Sequence, residues 1–135
     1  MIVDTSALLA YFDANEPKHS ELVRVIETAA EPLVVSPYVV AELDYLVLTR
    51  HGGSAERAVL GELSSGAWDL AEMPVPRVAA AAAIVERYAD LPLGVADASN
   101  VVLADETGTR RIATLDRRHF SVVRLTDGSA FEVLP

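Results

Sequence analysis

The chain has 135 residues, 51% hydrophobic and 23% charged, enough apolar material for a packed core and too much for a disordered segment, so one domain over 1–135 is expected. Eleven Lys and Arg against 20 Asp and Glu leave a net charge of -9, which excludes holding nucleic acid on a broad basic surface; any such contact must be local. Cysteine is absent, which excludes disulfides, thiolate metal sites and a cysteine nucleophile.

Met1-Ile2-Val3 is short, apolar and β-branched, and Asp4-Thr5-Ser6 supplies helix-starting side chains before Ala7–Phe12, so strand, turn and helix are expected. Acids at Asp4 and Asp13 and the lack of a basic leader make this start a poor signal peptide. The longest apolar run, Val78 to Val85, is far shorter than a bilayer span, and a cytoplasmic protein is expected. Pro17 ends the first helix. His19–Ala30 carries Leu22, Val25, Ile26 and Ala29 at helical spacing, and Leu33–Val35 reads as a second strand.

Ser36-Pro37 is an N-cap followed by proline at the first helical position, and that helix runs to Gly52-Gly53. Glu56–Leu63 reads as a short helix and Trp68–Ala71 as a strand. Pro76 introduces an alanine-rich helix to about Asp90, and Pro92 and Gly94 mark a loop. Ala96–Glu106 is a further helix ending near Gly108, and Arg111–Leu115 is a strand ending at Asp116. Strands alternating with helices predict an α/β fold: a three-layer α/β/α sandwich with a central, mainly parallel sheet. The tail from Val122 to Val133 adds strands that the pattern does not place.

Ligands of open parallel sheets sit beyond the carboxyl ends of the strands, where Asp4 and Asp116 fall. Each is equally well explained as a helix N-cap, and Asp97, at the start of its helix, also complements the helix dipole. Glu42 lies too far into its helix to cap Ser36 and among core-type residues. Positions 38, 39, 45 and 46 offer it no cation, so a Glu42 facing the interior requires an outside partner. If the acids converge, each pair about 4 Å apart repels by about 4 kcal/mol at an effective dielectric of roughly 20, and a cation or protons must compensate. Oxygen-only ligands suit Mg2+ or Mn2+ more than Zn2+, and such ions serve phosphoryl chemistry.

These residues resemble a known family. Ile2-Val3-Asp4-Thr5-Ser6-Ala7-Leu8-Leu9, Val40-Ala41-Glu42-Leu43, Ala96-Asp97-Ala98 and Thr114-Leu115-Asp116-Arg117-Arg118-His119-Phe120, in this order and spacing, are similar to the PIN domain and, more narrowly, to VapC ribonuclease toxins of bacterial toxin-antitoxin pairs. The resemblance implies that Asp4, Glu42, Asp97 and Asp116 form an acidic quartet holding Mg2+ (or Mn2+), with Ser6 in a supporting role. It implies cleavage of structured RNA, such as tRNA or the sarcin-ricin loop of ribosomal RNA, leaving a 3′ hydroxyl and a 5′ phosphate. It also implies a homodimer and a cognate VapB-like antitoxin with a basic tail.

Arg117 and Arg118, beside Asp116, are candidates for phosphate contact, with a solvated surface role as the alternative. Asn100, one turn from Asp97, could face the same place but belongs to no recognised motif. His19, His51 and His119 lack metal-binding spacing and read as surface or structural residues. Tyr38 and Tyr45 flank Glu42 and either orient it or pack. Trp68 reads as core or interface. The competing readings are a catalytically silent PIN-like binding module, which should have lost an acid, and a receiver-like phosphoacceptor domain, which needs a late lysine where the chain has only Lys18.

Overall fold

The structure, a computed structural model, describes all residues 1–135. In chain order the elements are β1 (Ile2–Val3), α1 (Thr5–Phe12), α2 (His19–Glu27), β2 (Val34–Val35), α3 (Pro37–His51) and α4 (Gly53–Leu63), then β3 (Asp69–Leu70), α5 (Val75–Arg87), α6 (Val95–Thr107), β4 (Arg111–Ala113), α7 (Arg117–Phe120) and β5 (Glu132–Leu134). The five strands lie in the order β3-β2-β1-β4-β5, every pairing parallel. Ile2 stands opposite Val34 on one side and Ile112 on the other, so β1 is the central strand.

Alternation along each strand divides the interior into two cores. Val3, Val35 and Ala113 face α1 to α4, where Leu8, Leu22, Ile26, Leu43 and Val47 pack with Trp68. Ile2, Val34 and Ile112 face the other way, onto Ala98, Val101, Leu103 and Phe120 of α6 and α7. The three-layer sandwich is therefore present, and its strands are buried on both faces because helices cover both. Trp68 is a core residue, edge-on to Tyr11.

The chain runs β1 to β2 to β3 in one direction, then returns to the other side of β1 for β4 and β5. The order reverses between β1 and β4, and at such a switch point the connections diverge and leave a crevice beyond the carboxyl ends of the strands.

Several boundaries differ from the sequence reading. Gly52 ends α3 with φ +81°, a conformation open to glycine, and α4 starts at once at Gly53 rather than at Glu56. β4 stops at Ala113 rather than Leu115; the Thr114 N–H still donates to the Leu134 carbonyl, and its hydroxyl turns to Asp4. The tail supplies one strand, β5, parallel to β4, plus a single antiparallel bridge between Arg124 and Ala130.

Candidate active site

Asp4 leaves β1 at the switch point and caps α1, accepting a hydrogen bond from the Ser6 backbone N–H at 3.4 Å. Capping and site membership are therefore not alternatives here: the cap fixes where the carboxylate sits. Asp4 is 5% exposed. Its Oδ2 accepts from the Ser6 and Thr114 hydroxyls, both at 2.8 Å, and its Oδ1 from Asn100 Nδ2 at 3.1 Å. Desolvation raises its pKa, and the Thr114 and Ser6 bonds act against that rise. Ser6 Oγ also accepts from the Leu115 N–H at 2.9 Å, and Thr114 Oγ1 from the Asp116 N–H at 2.9 Å. Two hydroxyls thus clamp the end of β1 to the end of β4.

Asp116 caps α7 through the His119 N–H at 3.2 Å. Asp97, in the first turn of α6, accepts from the Gly94 N–H at 3.1 Å. Its pKa is raised to about 6, first by burial and further by the charges of Asp4 and Asp116; the Gly94 bond and His119 pull the other way. Ser99, two residues further along α6, donates to the Ala96 carbonyl at 2.6 Å and shares a hydrogen bond with the Ser36 hydroxyl at 2.6 Å, and so ties α6 to the start of α3.

Glu42 departs from expectation. It is exposed, not buried, because Val39, Leu43 and Val47 form the inward stripe of α3 and Glu42 lies beside it. No cation pairs with it; its hydrogen-bond partner is the Thr5 hydroxyl, which donates to Oε2 at 2.6 Å. Tyr45 is 66% exposed.

Asp4, Glu42, Asp97 and Asp116 line one cleft of about 530 Å³ at the carboxyl ends of the central strands. Ser6 lines it as well; Arg117 and Arg118 are exposed outside its lining, and Arg117 donates to the Pro135 carbonyl. A larger depression of about 700 Å³, bordered by Asp105, Arg110 and Asp127, lies at the opposite end of the sheet, away from the switch point.

The cleft also holds two residues that the sequence does not mark as site residues, His119 and Arg50. His119 Nδ1 lies 3.0 Å from Asp116 Oδ2 and 3.5 Å from Asp97 Oδ2, an ion-pair distance off the direction of a well-formed hydrogen bond. Its spacing of three residues from Asp116 is the signal in the sequence that places it beside the acids. His19 and His51 do have structural contacts, with the Ala10 carbonyl at 2.9 Å and Asp13 at 3.7 Å. Asn100 is wholly buried beside Asp4, and Arg50 joins the cleft from the end of α3.

No three of the acidic and histidine side chains form a ready-made metal cage. Hard oxygens are nevertheless gathered there. Asp4 Oδ1 carries one hydrogen bond and keeps a free lone pair, and the neighbouring Asn100 Oδ1 is buried without a donor. The donor set fits Mg2+, which is commonly held by one or two carboxylates and keeps water in its remaining positions.

The PIN domain family matches residues 1–125. The chain is 59% identical to Ribonuclease VapC26 of Mycobacterium tuberculosis (strain ATCC 25618 / H37Rv) over 135 residues, covering 100% of both chains. Its fold is similar to that of Mycobacterium tuberculosis VapC20, a sarcin-ricin loop cleaving toxin, with a TM-score of 0.85 at 21% identity over 99% of this chain and 98% of that one. FitAcB from Neisseria gonorrhoeae has a TM-score of 0.64 at 18% identity over 85% and 86% of the two chains. With the family match over nearly its whole length and a full-length relative at this identity, the chain belongs to the PIN domain family, in its VapC group of ribonuclease toxins.

Proposed function

We propose that residues 1–135 act as one PIN-like unit, a metal-dependent endoribonuclease of the bacterial cytoplasm that hydrolyses phosphodiester bonds in structured RNA. The observation that carries this reading is the meeting of Asp4, Glu42, Asp97 and Asp116, from four separate segments, in one cleft at the switch point. These four would hold Mg2+ or Mn2+. Such an ion, when bound, supplies neutralisation of charge on the phosphorus oxygens and a more acidic water at neutral pH.

The chain's own contribution is preorganisation. Ser6, Thr114 and Asn100 hold Asp4 in one orientation, Thr5 steadies Glu42, and the Gly94 and His119 backbone N–H groups fix Asp97 and Asp116. Each carboxylate is thus aimed before substrate arrives, and little reorganisation remains for the reaction. Arg117 and Arg118, flanking Asp116, would contact RNA phosphates outside the cleft. The tRNA or sarcin-ricin class of target is favoured by the family and by the fold shared with VapC20.

A small VapB-like antitoxin with a basic tail is the partner this site suits, since a cationic side chain would neutralise the same carboxylates. A homodimer is supported by α5, which buries only Ala81 and exposes Val75, Val78 and Val85.

The test is incubation of purified protein with total bacterial RNA, with Mg2+ or Mn2+ and with chelator, followed by mapping of new ends. Discrete ends with a 5′ phosphate are expected in metal only, and Asp97→Asn should lose them while remaining folded. Cleavage that persists in chelator, or at wild-type rate in Asp97→Asn, contradicts the reading.

A further inference from the structure

Helix α3 presents Glu42, Leu46 and Arg50 to the cleft, each four residues from the last and so on one side of the helix. Arg50 is the sole guanidinium lining that cleft. It is exposed and takes part in none of the molecule's ion pairs, a freedom it shares with Arg24, Arg57, Arg87, Arg110 and Arg118; what sets it apart from these is its place in the cleft. The cleft therefore combines four carboxylates with one permanently charged fork that none of them has captured. A guanidinium so placed matches a phosphate, which it can bind through two parallel hydrogen bonds.

We propose that Arg50 receives a backbone phosphate of the RNA at the mouth of the acidic cleft, an inference that rests on the ribonuclease reading above. Eight residues of helical rise separate Arg50 from Glu42, about 12 Å along the axis, so the phosphate it takes is one flanking the cleaved bond rather than the cleaved one. On a chain of net charge -9, this contact offsets the repulsion that RNA meets among the carboxylates and sets its register. The other role open to Arg50 is complementing the dipole at the end of α3. That role stabilises the helix and leaves RNA affinity alone.

The experiment measures anisotropy of a short fluorescein-labelled single-stranded RNA in an Asp97→Asn background, which prevents cleavage, across a series of salt concentrations. Arg50→Ala should weaken binding roughly fivefold at low salt and reduce the slope of log affinity against log salt by about 0.7, the value for one lost phosphate contact on a single strand. Arg50→Lys should keep the slope and lose part of the affinity, because charge remains and the fork does not. Arg24→Ala, which removes a matched charge from the last turn of α2, should leave the slope unchanged. If Arg50→Ala has the wild-type slope while Arg50-intact protein cleaves RNA in Mg2+, the Arg50 assignment alone is overturned. If the unsubstituted protein neither binds nor cleaves RNA in any divalent ion, the ribonuclease reading and this inference fall together.

Discussion

Thr114 shows how one hydroxyl can govern a site it does not enter. Its single hydrogen goes to Asp4 Oδ2 and its oxygen accepts the Asp116 N–H, so it serves two acids at once from a fully buried position. Ser6 Oγ stands 3.0 Å away; since its own hydrogen is also committed to Asp4, the two hydroxyls meet as packed neighbours beneath the same carboxylate oxygen. Thr114→Val keeps the shape and removes the hydrogen bonds. Leaving a buried carboxylate and a backbone N–H each short of a partner should cost about 1–3 kcal/mol. Chemical denaturation should show that loss with an unchanged denaturant slope; wild-type stability would mean that Thr114 contributes only packing.

At the scale of elements, α3 carries the most. Its start is fixed by the Ser36 cap and Pro37, its inward stripe sets the phase of Glu42 and Arg50, and its end is fixed by Gly52, at φ +81° and ψ 172°. A Cβ at Gly52 would meet nothing within 4 Å, so Gly52→Ala isolates the backbone cost, about 1–3 kcal/mol for a region essentially reserved to glycine. A lowered melting temperature is expected, and an unchanged one would show that the α3–α4 elbow relaxes freely. Features with a local cause were legible in the sequence: the Ser36-Pro37 cap, the short β-branched strands, the acids just after β1 and β4, and hence the switch-point crevice. The exposure of Glu42 was not, because core-type neighbours on both sides masked a rotation of roughly one residue around the helix. The arrival of Arg50 in the cleft depends on how α3 packs against the sheet, a long-range outcome that no local pattern encodes, whereas His119 is brought there by its spacing from Asp116. The start of α4 at Gly53 is not legible, because a glycine pair signals a stop equally well whether a loop or another helix follows.

For the whole molecule, gathering carboxylates has a cost that pH should reveal. The pKa of Asp97 in the folded protein, about 6, lies above its ordinary value of 3.8, so between these values the folded state binds more protons than the unfolded one. Stability of the metal-free protein should therefore fall as pH rises from about 4 to about 6 and level off above, with Asp4 acting in the same direction. Asp97→Asn should flatten that fall, measured as melting temperature against pH in chelator; parallel curves for the two proteins would show that Asp97 is not under this strain. The charge that destabilises the cleft in chelator is also what would attract a hard dication, and affinity for one should rise through the same pH range as protons leave. The most direct test is anomalous scattering from crystals soaked in Mn2+. A peak in the cleft beside Asp4, Asp97 and Asp116, lost in Asp97→Asn, is the expected result. Saturating Mn2+ with no peak there, in crystals of protein that still cleaves RNA, would contradict the claim that these carboxylates form the metal centre.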